Sequence, residues 1–304
     1  MIIVVAPGQG SQTPGFLEPW LDVDGVREHL GSLSDASGID LVTHGTVSDA
    51  DTIRDTENAQ PLIVAASIVT GALLVNGRRD SVGAVAGHSV GEFAAAYLAG
   101  VLSDVDAIRL VGVRGRAMAL EASKVATGMS AVLGGEPDVV QARLSELGLT
   151  AANMNGGGQV VVAGELGALA ALAAEPAAGT RVIPLPVAGA FHTAFMAGAV
   201  DTLRDAALTV TPSDPTLSIY TNRDGSRVSS GTTYLDFLIG QVSNPVRWDL
   251  CMDAFATDGV TGIIELAPAG ALVGLSKRGL KGIPTVAVKA PDDLVAAIEL
   301  LEAS

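Results

Sequence analysis

The sequence predicts an α/β protein: a large domain built on a mostly parallel sheet, interrupted by a small βαββαβ domain. Three observations carry this. Short apolar runs, Ile2–Ala6 and Val82–Ala86 among them, alternate with longer helical patterns, as in sheets covered by helices on both faces. At Gly87-His88-Ser89-Val90-Gly91 one such run turns sharply into an Ala-rich helix. From about residue 126 to 190 the order changes to β-α-β-β-α-β, the ferredoxin-like pattern, which is complete by itself. The large domain is therefore expected over 1–125 and 191–304, with the insertion at 126–190.

Composition sets the bounds. The 304 residues suffice for one large or two smaller domains, and 48% hydrophobic against 17% charged residues describes a folded chain. Aromatics make up only 4%, so the core must come from Val, Leu, Ile and Ala. A net charge of −15 repels polyanions and so argues against nucleic acid and membrane surfaces as partners. The single Cys251 excludes an internal disulfide and any multi-cysteine zinc site, and fits a cytoplasmic location. Met1–Ala6 lacks the basic start of a secretory signal, and Pro61–Val75 is too short for a span and reads as a buried helix.

In chain order, Ile2–Ala6 is a buried strand that ends in the glycine-rich Pro7-Gly8-Gln9-Gly10-Ser11-Gln12. This loop has neither the Lys-Ser/Thr of a phosphate loop nor dinucleotide spacing. Helices follow over Gly25–Ser37 and Asn58–Val75, with His44 in a loop between them. After the strand at Val82 and its helix, another helix runs over Asp104–Ala122, capped by Ser103 or Asp104. The insertion reads as strands Met129–Leu133, Ala151–Asn155, Gln159–Ala163 and Arg181–Pro186, with helices Asp138–Leu147 and Leu166–Ala174. Beyond it come helices Thr193–Leu208, Tyr234–Val242, Arg247–Thr257 and Asp292–Glu302, and strands Leu217–Thr221 and Gly262–Leu266.

The strand, Gly-x-Ser-x-Gly and helix together form a nucleophile elbow. Ser89 is pushed outward in a strained turn, and the Val90 amide and the positive helix end point where an acyl oxygen would become an oxyanion. A serine nucleophile needs a base, and the chain has four histidines. His29 and His44 read as surface residues, and His88 should point away from its neighbour Ser89. His192, in the small-residue loop after the insertion, is the preferred base. No carboxylate presents itself as a third member: Asp201 and Asp205 can face solvent, and a backbone carbonyl would select the imidazole tautomer equally well. Arg114 lies between Gly112 and Gly115 in an apolar setting and shares a helix face with Met118, whereas Arg116 points elsewhere. A buried guanidinium calls for an anion, and a carboxylate matches its fork; a solvated arginine snorkelling from the helix is the competing reading.

Six motifs occur in order: Pro7-Gly8-Gln9-Gly10-Ser11-Gln12, Gly87-His88-Ser89-Val90-Gly91-Glu92, Arg114-Gly115-x-x-Met118, Asn153-Met154-Asn155, Ala190-Phe191-His192 and Asn244-Pro245-Val246-Arg247-Trp248. Together they resemble the malonyl-CoA:acyl carrier protein transacylase family of type II fatty acid synthesis, over nearly the whole chain. The resemblance implies an α/β-hydrolase-like large domain with a ferredoxin-like insertion. It implies Ser89 as nucleophile, His192 as general base and acid, and Gln9 and Val90 as the oxyanion hole. Arg114 would pair with the malonyl carboxylate, Met118, Phe191 and Asn155 would lie along the substrate, and the Arg247 main-chain carbonyl would orient His192. Malonyl-CoA and acyl carrier protein are then the partners, with no metal or other cofactor. Val90 and Ala269 replace a leucine and a glycine that this family would lead one to expect. A serine thioesterase or esterase shares the elbow but has no need of Arg114, and a carrier-binding module would need no intact Ser89, His192 and Gln9. Arg78-Arg79, or Lys277-Arg278 with Lys281, are candidate contacts for an acidic carrier, or ordinary surface charge.

Overall fold

The computed structural model describes residues 1–187 and 189–303; Ala188, which belongs to the small-residue stretch named above before His192, and Ser304 lie outside the described residues. Its strands are β1 (Ile2–Ala6), β2 (Val82–Gly87), β3 (Thr127–Gly134), β4 (Thr150–Gly156), β5 (Gln159–Glu165), β6 (Thr180–Pro184), β7 (Ser218–Tyr220), β8 (Arg227–Val228), β9 (Val246–Arg247), β10 (Gly262–Glu265) and β11 (Thr285–Ala287).

One sheet has the order β11-β10-β1-β2-β7-β8, parallel except for β8, with Val4 opposite both Val85 and Ile264. β1 is buried along its whole length because both sheet faces are covered. Its alternate residues feed two cores. Ile2, Val4 and Ala6 pack with the helices Thr56–Val75, Gly91–Ala99 and Asp104–Ala122; Ile3 and Val5 pack with Trp248, Cys251, Phe255, Leu272 and Leu275. Thr56–Val75 is the one helix among the described residues long and apolar enough to cross a membrane, and 78% of that stretch is buried inside the fold.

The other sheet has the order β6-β3-β5-β4-β9. Its first four strands are antiparallel and, with the helices Pro137–Glu146 and Leu166–Ala174, enclose a core of Val132, Val140, Leu144, Val162, Leu169 and Leu172. β9 comes from the far part of the chain and pairs in parallel with β4, Asn153 opposite Val246 and Met154 opposite Arg247. The sequence reading starts a helix at Arg247; in the fold the helix starts at Trp248, and Arg247 is drawn into the sheet.

Other departures are short elements. His44 sits in a helical turn, Leu41–Thr46, where Asp40 accepts from the Thr43 amide, and not in a loop. The segment read as one helix from Thr193 opens as a 3-10 turn, Ala194–Met196, before the helix Ala197–Ala207, because the Thr193 hydroxyl takes the Phe195 amide. The helix Ala271–Gly279 and strands β8 and β11 carry too little periodic pattern to be read in advance.

Candidate active site

β2 delivers the chain to Ser89, which has φ +52, the strained conformation expected of an elbow. The turn requires its glycines. A Cβ on Gly87 would lie 2.1 Å from the Gly91 carbonyl carbon, and one on Gly91 would lie 2.3 Å from the Ala6 oxygen. Ser89 Oγ is 2.7 Å from His192 Nε2.

His192 is buried, itself at φ +60, and its Nδ1 lies 2.8 Å from the main-chain oxygen of Gln241. A carbonyl only accepts, so Nδ1 carries the proton and Nε2 is free to accept the Ser89 hydroxyl. Burial, and then the charge of Arg114, pull the imidazole pKa down to about 3, so it stands neutral as a base must.

The oriented carbonyl is thus that of Gln241, not of Arg247, and the expectation for Arg247 is corrected. Gln241 closes the helix Gly231–Gln241, and a last-turn carbonyl has no amide of its own helix to meet. Arg247 is occupied elsewhere: its amide donates to the Asn222 carbonyl at 2.8 Å, and its guanidinium makes a two-point contact with Asp249. Asp201 and Asp205 are exposed, as the sequence reading allows.

The serine opens into a cavity of about 320 Å³, lined by Gln9, Val90, Arg114, Met118, Asn155, Phe191 and His192 among others. Among the described residues neither the Gln9 nor the Val90 amide donates to another protein group, so two backbone donors border the serine unspent. Arg114 is buried, with Nη1 on Gln60 Oε1 at 2.6 Å and Nη2 at 3.2 Å from Gln241 Oε1 and 3.4 Å from Ser89 Oγ. It makes no ion pair with a carboxylate among the described residues, and its Nε has no partner. Burial lowers its pKa to about 10, which leaves it charged at neutral pH. Arg116 faces the other way, onto the Ser37 carbonyl, and Arg109 pairs with Asp106.

As expected, His88 makes no hydrogen bond to the Ser89 hydroxyl among the described residues. Its Nε2 meets Asn155 Oδ1 at 2.8 Å, and its ring abuts Trp248 edge-on. Asn155 gives its nitrogen to Gln159, so its amide ties the elbow to the second sheet while the residue lines the cavity. His29 pairs with Asp104, and His44 with Ser48.

Four residues behind the site escaped the sequence reading. Gln60 and Gln241 hold Arg114. Asn222 accepts the Ser89 amide at 2.7 Å through Oδ1 and donates to the Gly87 carbonyl. Glu92 lies beneath them, fully buried, and burial pushes its pKa up to about 8 against the pull of its hydrogen-bond donors and Arg114. Only Glu92 left a trace in the sequence, as a lone charge in an Ala-rich helix.

The acyl transferase domain family model matches residues 4–293. The chain belongs to this acyltransferase family. A malonyl CoA-acyl carrier protein transacylase of Mycobacterium tuberculosis is 47% identical over 298 residues, covering 97% of this acyltransferase and 98% of that protein. The crystal structure of MCAT from Mycobacterium tuberculosis matches with a TM-score of 0.95 at 46% identity, covering 98% of this chain and 99% of that one. A malonyl-transacylase solved in complex with its type II PKS acyl-carrier protein matches with a TM-score of 0.91 at 29% identity, over 98% and 99% of the two chains.

Proposed function

We propose that this acyltransferase moves a malonyl group from malonyl-CoA to the phosphopantetheine thiol of an acyl carrier protein, through a malonyl ester on Ser89. The observation that carries this reading is Arg114, a buried cation that makes no ion pair with a carboxylate among the described residues, with Nη2 3.4 Å from Ser89 Oγ. A guanidinium so placed can offer charge and hydrogen-bond donors to an acid on the acyl group.

The cycle follows from the geometry. His192 Nε2 takes the Ser89 proton as Oγ attacks the thioester carbon, and the oxyanion meets the Gln9 and Val90 amides. The carbon–sulfur bond breaks, and the imidazolium returns its proton to the CoA thiolate. The carrier's thiol then gives its proton to His192, attacks the ester, and Ser89 leaves as the hydroxyl. Arg114, Met118 and Phe191 hold the malonyl group in one pose, and the bulk of Phe191 disfavours a branched methylmalonyl unit. Every step is assigned to side chains, amides and the two thiols, so the reading calls for no metal or organic cofactor. It places the protein in the cytoplasm, supplying fatty acid or polyketide synthesis.

The finer architecture is part of this reading. We take the parallel sheet with its elbow after β2 as α/β-hydrolase-like, and residues 126–190 as a ferredoxin-like insertion. The strand order β6-β3-β5-β4 supports the latter, since in insertion numbering it reads fourth, first, third, second. For carrier docking, Lys277, Arg278 and Lys281 are favoured: all three are exposed, and Arg278 borders the catalytic cavity. Arg78 and Arg79 precede the start of β2, whereas Ser89 follows its end, about 20 Å along the strand. They are also engaged by Glu302 and Thr216.

The test is single-turnover mixing with malonyl-CoA or acetyl-CoA followed by intact-mass analysis. The expected result is one malonyl group on Ser89, and an Arg114→Ala variant that loses about 2–5 kcal/mol on malonyl transfer and far less on acetyl transfer. Steady release of CoA with no accumulated ester would instead favour a hydrolase.

A further inference from the structure

Glu92 does not line the cavity at Ser89, yet its carboxylate reaches Asn222, which supports Ser89, and Gln241, which supports Arg114 and orients His192. Oε1 accepts the Asn222 amide at 2.7 Å, and the Tyr234 hydroxyl lies at 3.4 Å from the same oxygen. Oε2 accepts from Gln241 Nε2 in a very short contact. Asn222 in turn takes the Ser89 amide, while Gln241 offers its side-chain oxygen to Arg114 and its main-chain oxygen to His192.

The orientation of the Gln241 amide is forced from both ends. A guanidinium only donates, so Gln241 must present oxygen to Arg114; Oε2 must then accept the remaining nitrogen. A proton on the carboxyl would sit on Oε1, where the Tyr234 hydroxyl can accept it, leaving Oε2 as the acceptor. Any group at this place that offered Gln241 a donor would turn the amide over and set N–H against N–H at Arg114.

We propose that Glu92 is a positioning residue that locks the Gln241 amide with its oxygen toward Arg114, and so holds the guanidinium in register for the carboxylate of the incoming acyl group. The role is one of acyl selectivity, exerted through two intermediaries, and it rests on the malonyl reading of Arg114.

The isosteric variant Glu92→Gln separates this role from simple packing. Its amide can satisfy the Asn222 N–H with oxygen only by turning nitrogen toward Gln241, which breaks the lock without changing volume. The measurement is kcat/KM for Ser89 acylation by malonyl-CoA and by acetyl-CoA, with Tm alongside. The malonyl-over-acetyl ratio is expected to contract by about tenfold or more, the consequence of losing one hydrogen bond to a charged group. Gln241→Leu, which keeps the main-chain carbonyl for His192, should contract the ratio similarly, and the double variant should contract it no further than the larger single effect. Equal losses on both substrates in Gln241→Leu, or in Glu92→Gln if it folds, would overturn the proposal. Arg114→Ala in the same assay distinguishes the two levels. If it leaves the ratio unchanged, the malonyl reading itself falls; if it contracts the ratio while Glu92→Gln and Gln241→Leu do not, only the lock falls.

Discussion

At the scale of the residue, the neutral state of His192 has measurable consequences. Its pKa of about 3 in the fold lies below the ordinary 6.5, so the imidazole remains a base under mild acid. Acylation of Ser89, followed as kcat/KM for malonyl-CoA, should hold from pH 7 down to about 5, where an unperturbed histidine would already be mostly protonated. The same shift acts on stability. Above pH 6.5 folded and unfolded chains both hold the group neutral; below it the unfolded chain takes up a proton that the fold refuses, so stability falls between pH 6.5 and about 3. A His192→Gln variant should lose less Tm between pH 7 and 5 than the wild type does. Equal slopes would mean that the imidazole is hydrated and not buried. Ser89→Ala should form no acyl adduct by mass while retaining the wild-type Tm within a few degrees, because among the described residues its hydroxyl meets only the His192 and Arg114 side chains and no backbone group.

At the scale of the element, helix ends carry the chemistry. The helix Asp104–Ala122, which presents Arg114 and Met118, begins where the Ser103 hydroxyl accepts the Asp106 amide at 3.0 Å. Ser103→Ala should cost about 0.5–2 kcal/mol in urea unfolding, with acylation selectivity preserved. The helix Ala271–Gly279 beside the cavity is capped differently. The buried carboxylate of Glu265, at the end of β10, accepts the amides of Gly270, Leu272 and Val273 at 2.8–2.9 Å. Glu265→Leu strands three donors in the interior, so its cost should reach about 3 kcal/mol or more, read as a lowered urea midpoint. The third terminus is that of Gly231–Gln241, whose last carbonyl faces His192 and whose dipole favours positive charge there. A helix end takes the place a triad carboxylate would fill, and in the proposed cycle it would stabilise the imidazolium.

At the scale of the whole molecule, the site lies where the two sheets meet. Ser89 stands at the end of β2, Asn155 comes from β4, and β9 crosses from the main chain of the larger part to pair with β4. Against a net −15, Lys277, Arg278 and Lys281 are exposed and Arg278 borders the cavity, which is the local positive charge that the proposed carrier docking would use. The paired variant Lys277→Ala with Lys281→Ala should raise KM for the carrier by about three- to tenfold, since surface charges act mainly on encounter. It should leave the malonyl-CoA half-reaction as it was; a change in both would assign these lysines to CoA binding.

What the sequence determined by itself is whatever chemistry lies within a few residues. The elbow at Ser89 needs only Gly87 and Gly91 beside it, the face shared by Arg114 and Met118 is a matter of helical spacing, and β1 and β2 are legible because two-sided burial leaves them wholly apolar. The tertiary structure alone decided how these pieces are held. Gln241 lies 49 residues from His192 in the chain and 127 from Arg114, and Asn222 lies 133 from Ser89. At such separations no spacing or periodicity records a contact. Hence the motif-based expectation settled on Arg247, six residues past the helix end that supplies the carbonyl. Polar partners of this kind are chosen by which donors and acceptors the packed core leaves unpaired, and that is a property of the assembled fold.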